Sequence, residues 1–280
     1  MTINCNDPHP PLVLVFAAAD PTGGAGIQAD IMTLSGMGCH ALTVITALTV
    51  QDTTGVEDVL AIDADFVAEQ ARAVLEDMPV QAFKLGVLGS ADNVAAIAGI
   101  IADYPHIPVV VDPVIASGRG DELASEGMLE ALCELILPQA TVITPNTMEA
   151  RRLVASLPDG QEGGTLSDCA QQLLEAGCEY VLITGSHAQT PQVVNTLYGT
   201  GGVIRADSWE RLPGSYHGSG CTLASAVAAA LAHGLEMPEA VYEAQGFTWQ
   251  SLAGAFRPGM GQHIPNRFFW ARPGRDDEVS

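Results

Sequence analysis

The segment "LVLVFAAADPTGGAGIQADIMTLSGMG" (residues 12–38) decides the fold. Residues 12–19 are an uncharged apolar run that reads as a strand. A glycine-rich turn follows, and residues 26–38 carry apolar side chains at a spacing suited to a helix lying on a sheet. The same strand, turn and helix grammar continues outward along the chain. Strands are predicted at 42–50, 82–88, 109–114, 141–146 and 180–186, and helices at 65–78, 93–104, 126–137 and 166–178. Such alternation specifies an α/β fold, a mainly parallel sheet with helices on both faces. Late in the chain, residues 193–212 read as a hairpin around Gly201 and Gly202, and helices at about 220–234 and 238–255 close the fold. No linker, composition break or repeat divides residues 1–280, so a single domain is expected. The loop 156–166 reads as the flexible insert and 272–280 as a disordered acidic tail.

The chain has 280 residues, 48% hydrophobic and 16% charged, with a mean hydropathy of +0.22, enough to bury a large core. Its formal charge of −22 opposes binding to nucleic acid or to an anionic membrane. Of 11 cationic side chains only Lys84 is lysine, so an anionic substrate must be held by backbone amides, helix termini, metal ions or a few arginines. The acid excess suits a salt-rich cytoplasm and equally a well-solvated surface. The six cysteines show no paired metal-finger spacing, which fits a reduced, intracellular chain. The first residues lack a signal profile and no apolar run reaches about 18 residues, so a cytoplasmic location is expected.

Unusual residues gather at the predicted carboxyl ends of the strands, where open parallel sheets bind ligands. "ADPTGGAG" follows the first strand, "QDTTG" the second, "DPV" ends the fourth, "NTME" follows the fifth and "TGSH" the sixth. In "HGSGCTLASAVAAAL" (217–231), Gly218 and Gly220 let successive amides turn toward one anion at a helix N-terminus. That makes an anion hole without lysine, or an ordinary glycine-rich cap. No Walker-type phosphate loop occurs. Cys221, in the first helical turn, is placed to be an activated thiol of lowered pKa, or a small buried hydrophobe. Lys84, within an apolar strand, reads as half of a structural ion pair.

The motifs "DPTGGAGIQADIMTLSGMG", "VITALTVQDTTGV", "KLGVLG", "VVVDPV", "ITPNTMEA" and "HGSGCTLASAVAAAL" occur in that order across about residues 13–265. As a set they resemble the hydroxymethylpyrimidine and hydroxymethylpyrimidine phosphate kinases of thiamin biosynthesis, in the ribokinase superfamily. The resemblance implies a ribokinase-like fold, a homodimer and ATP- and Mg²⁺-dependent phosphorylation. The substrates implied are 4-amino-5-hydroxymethyl-2-methylpyrimidine and then its monophosphate. It implies that Gln51 binds the aminopyrimidine, whose amine and ring nitrogen match a carboxamide's acceptor and donor. Asp20, Gly23, Gly24 and Gly26 match the loop that closes over the substrate, and Ala25, Val87 and Val114 are assigned to the same side. Asn146 and Glu149 match a pattern acting through Mg²⁺, with Asp112 as the second carboxylate. Thr184, Gly185, His187 and His217 are assigned to the nucleotide. Gly218, Ser219, Gly220 and Cys221 are assigned to phosphoryl transfer.

The chain departs from that pattern at several places. Ala18 and Ala19 stand where a glycine and a small polar residue are common, Thr184 where many relatives have lysine, and Tyr216 and Ser219 where threonine is usual. Arg119, in a loop that lacks the familiar lysine, is placed to supply a cation. Cys221 stands where most of the superfamily has an aspartate base. A fixed carboxylate there would repel a substrate that already carries phosphate, whereas a thiol need not. Three other readings are a pyridoxal kinase, a thiol hydrolase with His217 poised on Cys221, and a non-catalytic pyrimidine or nucleotide binder. The exposed part of residues 40–51 is where two copies of the chain could pair.

Overall fold

A computed structural model describes residues 9–116, 123–185 and 190–271. Nine strands form one sheet: β1 (Leu12–Ala19), β2 (His40–Gln51), β3 (Val56–Ala61), β4 (Ala82–Leu85), β5 (Val109–Val111), β6 (Val142–Ile143), β7 (Tyr180–Ile183), β8 (Gln192–Gly199) and β9 (Gly202–Glu210). Their order is β3-β2-β1-β4-β5-β6-β7-β8-β9. The six strands from β2 through β7 in this order run parallel, and β3, β8 and β9 add antiparallel edges. The chain leaves β1 for β2 on one side and returns to β4 on the other. That reversal opens a crevice at the carboxyl end of β1.

β1 shows why the sheet is central. Leu12, Leu14 and Phe16 join one buried cluster, while Val13, Val15 and Ala17 join another on the opposite face. The first cluster packs under α2 (Ala64–Leu75), α3 (Ala91–Ala102), α4 (Glu126–Ala131), α5 (Thr147–Ala155) and α6 (Leu166–Glu175). The second packs under α1 (Gly26–Gly36), α7 (Ser219–Ala232) and α8 (Met237–Ala253). A parallel strand covered on both faces must be apolar throughout, as β1 is. No helix among the described residues is long and apolar enough to cross a membrane.

Several boundaries differ from expectation for local reasons. The strands predicted to reach 88 and 114 stop at Leu85 and Val111, ahead of Gly86 and of Pro113, which has no N–H for a ladder. The helix predicted at 126–137 keeps α geometry only to Ala131, then widens into a π turn over Leu132–Ile136 and a 3-10 turn over Leu137–Gln139. Pro138 explains the widening, because in a continued α-helix its ring would press on the carbonyl four residues back. The hairpin, the two closing helices and the first helix fall where the sequence placed them. β3 and α5 were not anticipated.

Candidate active site

The loop after β1 is organised by Asp20, which is buried. Its carboxylate accepts hydrogen bonds from Thr22 N (2.8 Å), Thr22 Oγ1 (2.9 Å) and Ala25 N (2.8 Å). His217 Nε2 approaches it at 2.8 Å. Burial raises its pKa, but the His217, Ala25 and Thr22 hydrogen bonds outweigh that and hold it below the ordinary 3.8. The same His217 nitrogen lies 2.8 Å from the Gln51 amide at the end of β2. The Gln51 Nε2 and Asp20 Oδ2 contacts share this one ring nitrogen, so the tautomer of His217 decides which of them carries its proton. Gln51, His217 and Asp20 thus form one polar row. Gly26 starts α1 with φ +59°, and a Cβ there would lie 2.5 Å from Ala18 O.

Facing this loop is the start of α7. Gly218 is its N-cap, with left-handed φ +79°, and a Cβ on it would fall 1.9 Å from Gly24 O. The first intrahelical bond runs from Thr222 N to Gly218 O at 2.9 Å. No side chain caps the helix. Among the described residues, the N–H groups of Gly218, Ser219, Gly220 and Cys221 donate to no protein acceptor. These orphan donors, together with the helix dipole, make an anion site.

Beneath them lies a buried charged cluster. Lys84, from β4, sits 2.9 Å from Asp30 Oδ1 of α1 and 3.9 Å from Asp112 Oδ2 at the end of β5. Ser225 of α7 donates to Asp30 at 2.7 Å. Lys84 therefore forms the structural ion pair expected of it. The Cys221 thiol is buried beside the Asp112 carboxylate. The expectation of a lowered thiol pKa is overturned: burial, and then the charge of Asp112, push it well above 9.0. Desolvation and a neighbouring carboxylate outweigh the helix dipole, so Cys221 is a neutral thiol. Among the described residues no hydrogen bond joins Cys221 to His217, whose Nε2 is held by Asp20 and Gln51, so no Cys–His nucleophilic dyad forms.

Asn146 caps α5, accepting from Met148 N (2.9 Å) and Glu149 N (3.0 Å), while Glu149 Oε2 accepts from Asn146 N at 2.8 Å. This is a capping box. Burial, and then the charge of Asp112, push Glu149 up to about 8. Asp112 is itself raised by burial, and its Oδ2 has no hydrogen-bond partner. No group of three or more metal-ligating side chains exists among the described residues. A mutually repelling pair with an orphaned oxygen nevertheless fits a divalent cation that keeps most of its waters.

Thr184 pairs with Asn146 as an isolated bridge, and its N–H donates to Pro145 O at 2.9 Å. Gly185 N donates to Asn195 Oδ1 at 3.1 Å, and a Cβ at Gly185 would lie 2.3 Å from Val194 O. Val87 is half-buried, its carbonyl held by the Thr46 hydroxyl at 2.6 Å. Val114 lines a small cavity with Gly86, Leu88 and Pro113. His217 stands at the carboxyl ends of β1 and β2, against Asp20 and Gln51, with β4, β5 and β6 between that point and Thr184 after β7. His187 and Arg119 lie outside the described residues. Arg267 was not anticipated as a site residue. It is 1% exposed and bonds the backbone of both facing loops. The signal for it was an arginine set among apolar residues in "HIPNRFFW".

Residues 20–266 match a family model described as phosphomethylpyrimidine kinase. A hydroxymethylpyrimidine/phosphomethylpyrimidine kinase of Mycobacterium tuberculosis is 41% identical over 256 residues, covering 90% of this chain and 92% of the relative. A crystal structure of phosphomethylpyrimidine kinase from Clostridium difficile 630 superposes with a TM-score of 0.73 at 32% identity, over 86% of this chain and 99% of the other. An ADP complex of Bacillus subtilis pyridoxal kinase gives a TM-score of 0.80 at 30% identity, over 92% and 97%. Sharing that fold, and matching the family model from the loop after β1 to the segment after α8, the chain belongs to the phosphomethylpyrimidine kinase family.

Proposed function

We propose that the chain transfers the γ-phosphoryl group of ATP to 4-amino-5-hydroxymethyl-2-methylpyrimidine and then to its monophosphate. The observation that carries this is the set of unspent N–H groups at Gly218–Cys221 facing the row Asp20, His217 and Gln51. One side supplies donors for a migrating PO₃ group, the other a row of polar side chains for an aminopyrimidine. Phosphoryl transfer needs positioning and charge stabilisation more than covalent chemistry, and both are provided by backbone and buried groups. The neutral thiol of Cys221 presents no charge to a phosphate ester. In the second step the nucleophile is already an anion, and no base is required.

Asp112 and Glu149 are the residues that would hold Mg²⁺, which would supply positive charge to offset that of the phosphates. Asn146, Thr184 and Gly185, with His187, stand for the nucleotide side. Substrates and ATP are the ligands proposed, in a cytoplasmic homodimer. Exposed Leu48 and Val50 of β2 and Leu60 of β3 offer an apolar patch for such pairing.

Pyridoxal phosphorylation is the second reading, favoured by the TM-score of 0.80 to a pyridoxal kinase. Gln51 favours the pyrimidine. An ATP-consumption assay with the pyrimidine alcohol, its monophosphate and pyridoxal as separate substrates decides between them. Turnover of the first two supports the proposal; turnover of pyridoxal alone replaces it.

A further inference from the structure

Resting on the phosphoryl-transfer reading, we propose that Arg267 is a positioning residue. Through two peptide units it fixes the substrate loop and the phosphoryl-binding helix terminus in a single frame.

Arg267 follows α8 and is remote in sequence from both loops, yet its guanidinium lies between them. Its Nη2 donates to Gly24 O at 2.6 Å and to Gly218 O at 3.4 Å. Its Nη1 reaches Gly23 O at 3.4 Å, and Nε donates to Thr222 Oγ1 at 3.0 Å. All four partners are neutral oxygens. Among the described residues no carboxylate forms an ion pair with it. An arginine this buried with no paired anion is costly unless its charge is used by dipoles aligned to it.

Those dipoles are peptide groups, and what lies at their other ends is the point. The Gly24 carbonyl belongs to the peptide whose N–H, on Ala25, donates to Asp20 Oδ2 at 2.8 Å. The Gly218 carbonyl belongs to the peptide whose N–H, on Ser219, is one of the orphan donors of the anion site. In a planar trans peptide, C=O and N–H are antiparallel, so a donor on the oxygen fixes the direction of the N–H and strengthens it by polarisation. Gly218 O also accepts from Thr222 N (2.9 Å) and Thr222 Oγ1 (2.8 Å), which makes three donors on one oxygen. The cation thus acts on Asp20 at one end and on the Ser219 N–H at the other. Contact between the loops leaves no slack: a Cβ on Gly24 would lie 2.2 Å from the His217 ring.

The test uses the full chain and its Arg267→Met, Arg267→Lys and Thr222→Val variants. Steady-state kinetics with ATP, Mg²⁺ and the pyrimidine alcohol are paired with ¹⁵N amide spectra of the free proteins. Arg267→Met is expected to lower kcat roughly 10- to 100-fold, somewhat less than loss of a direct oxyanion donor. Neither KM should rise more than about threefold, because the interaction is used in the transition state. The Ala25 and Ser219 amide protons should move upfield, and Arg267→Lys, which keeps the charge but not the fork, should restore only part of both effects. A loss of kcat with those two amides unmoved overturns the proposal, as does an unchanged kcat. Should Arg267→Met not fold, Thr222→Val carries the same readouts with smaller changes, and an unmoved Ser219 amide there overturns it. Absence of kinase turnover in the wild type defeats the proposed function alone, since the amide shifts still decide the role of Arg267.

Discussion

Lys84 and Asp30 form an ion pair at 2.9 Å in which neither side chain is exposed, and Asp112 is the next acid, 3.9 Å from the same ammonium. Burial works against the lysine's charge, and the carboxylates of Asp30, foremost, and Asp112 reverse that and raise its pKa. Removing one partner strands the other. Lys84→Met is therefore expected to destabilise the fold by about 3–5 kcal/mol in urea unfolding. The double variant Lys84→Met/Asp30→Leu should recover part of the loss. A single variant as stable as wild type would refute the pairing as a structural element.

Cys221→Asp places a carboxylate beside Asp112 in a dry site. It is expected to impair phosphorylation of the monophosphate far more than that of the alcohol, since only the former brings its own negative charge. Rates of the two half-reactions, measured separately, check this. Equal losses in both would contradict it.

Glu149 supplies a pH signature. Its folded value is about 8 against an ordinary 4.5, burial being the main cause. Between these values the folded chain holds a proton that the unfolded chain has released. The stability tied to this group is thus complete below 4.5 and lost as pH rises through 8. In chelator-treated protein, the stability difference between wild type and Glu149→Gln should fall steadily between about pH 5 and 9. Glutamine keeps the capping box, so a difference independent of pH removes the argument.

Gly218→Ala tests the anion site directly. At φ +79° with Gly24 O in the way, a methyl group forces the α7 terminus and the substrate loop apart. The expected outcome is a destabilisation of about 2 kcal/mol and loss of most kinase turnover. Wild-type kcat in this variant would show that the two loops need not touch.

Sheet, helices and the polar strand ends were legible because each is written locally. β1 alternates between two cores, and the loop glycines mark positive φ at Gly23, Gly26 and Gly218. α5 was hidden by its own cap: Asn146 and Glu149, read for their chemistry, are also the box that starts a nine-residue helix. β3, "VEDVLA", is an edge strand whose half-exposed pattern carries little apolar signal. The charge state of Cys221 was misread because the helix terminus is local and visible, whereas Asp112 reaches the thiol across 109 residues of chain. The burial of Arg267 was hinted at by its apolar neighbours, but its role was hidden for the same reason, its partners lying 243 and 49 residues away.

The ion pair under β4 has one more consequence. Lys84 is the sole lysine and is fully buried, so an acylating reagent meets no ε-amine on the native chain. Covalent tagging of that amine, told apart from the α-amine by peptide mass, becomes a clock for opening of the core.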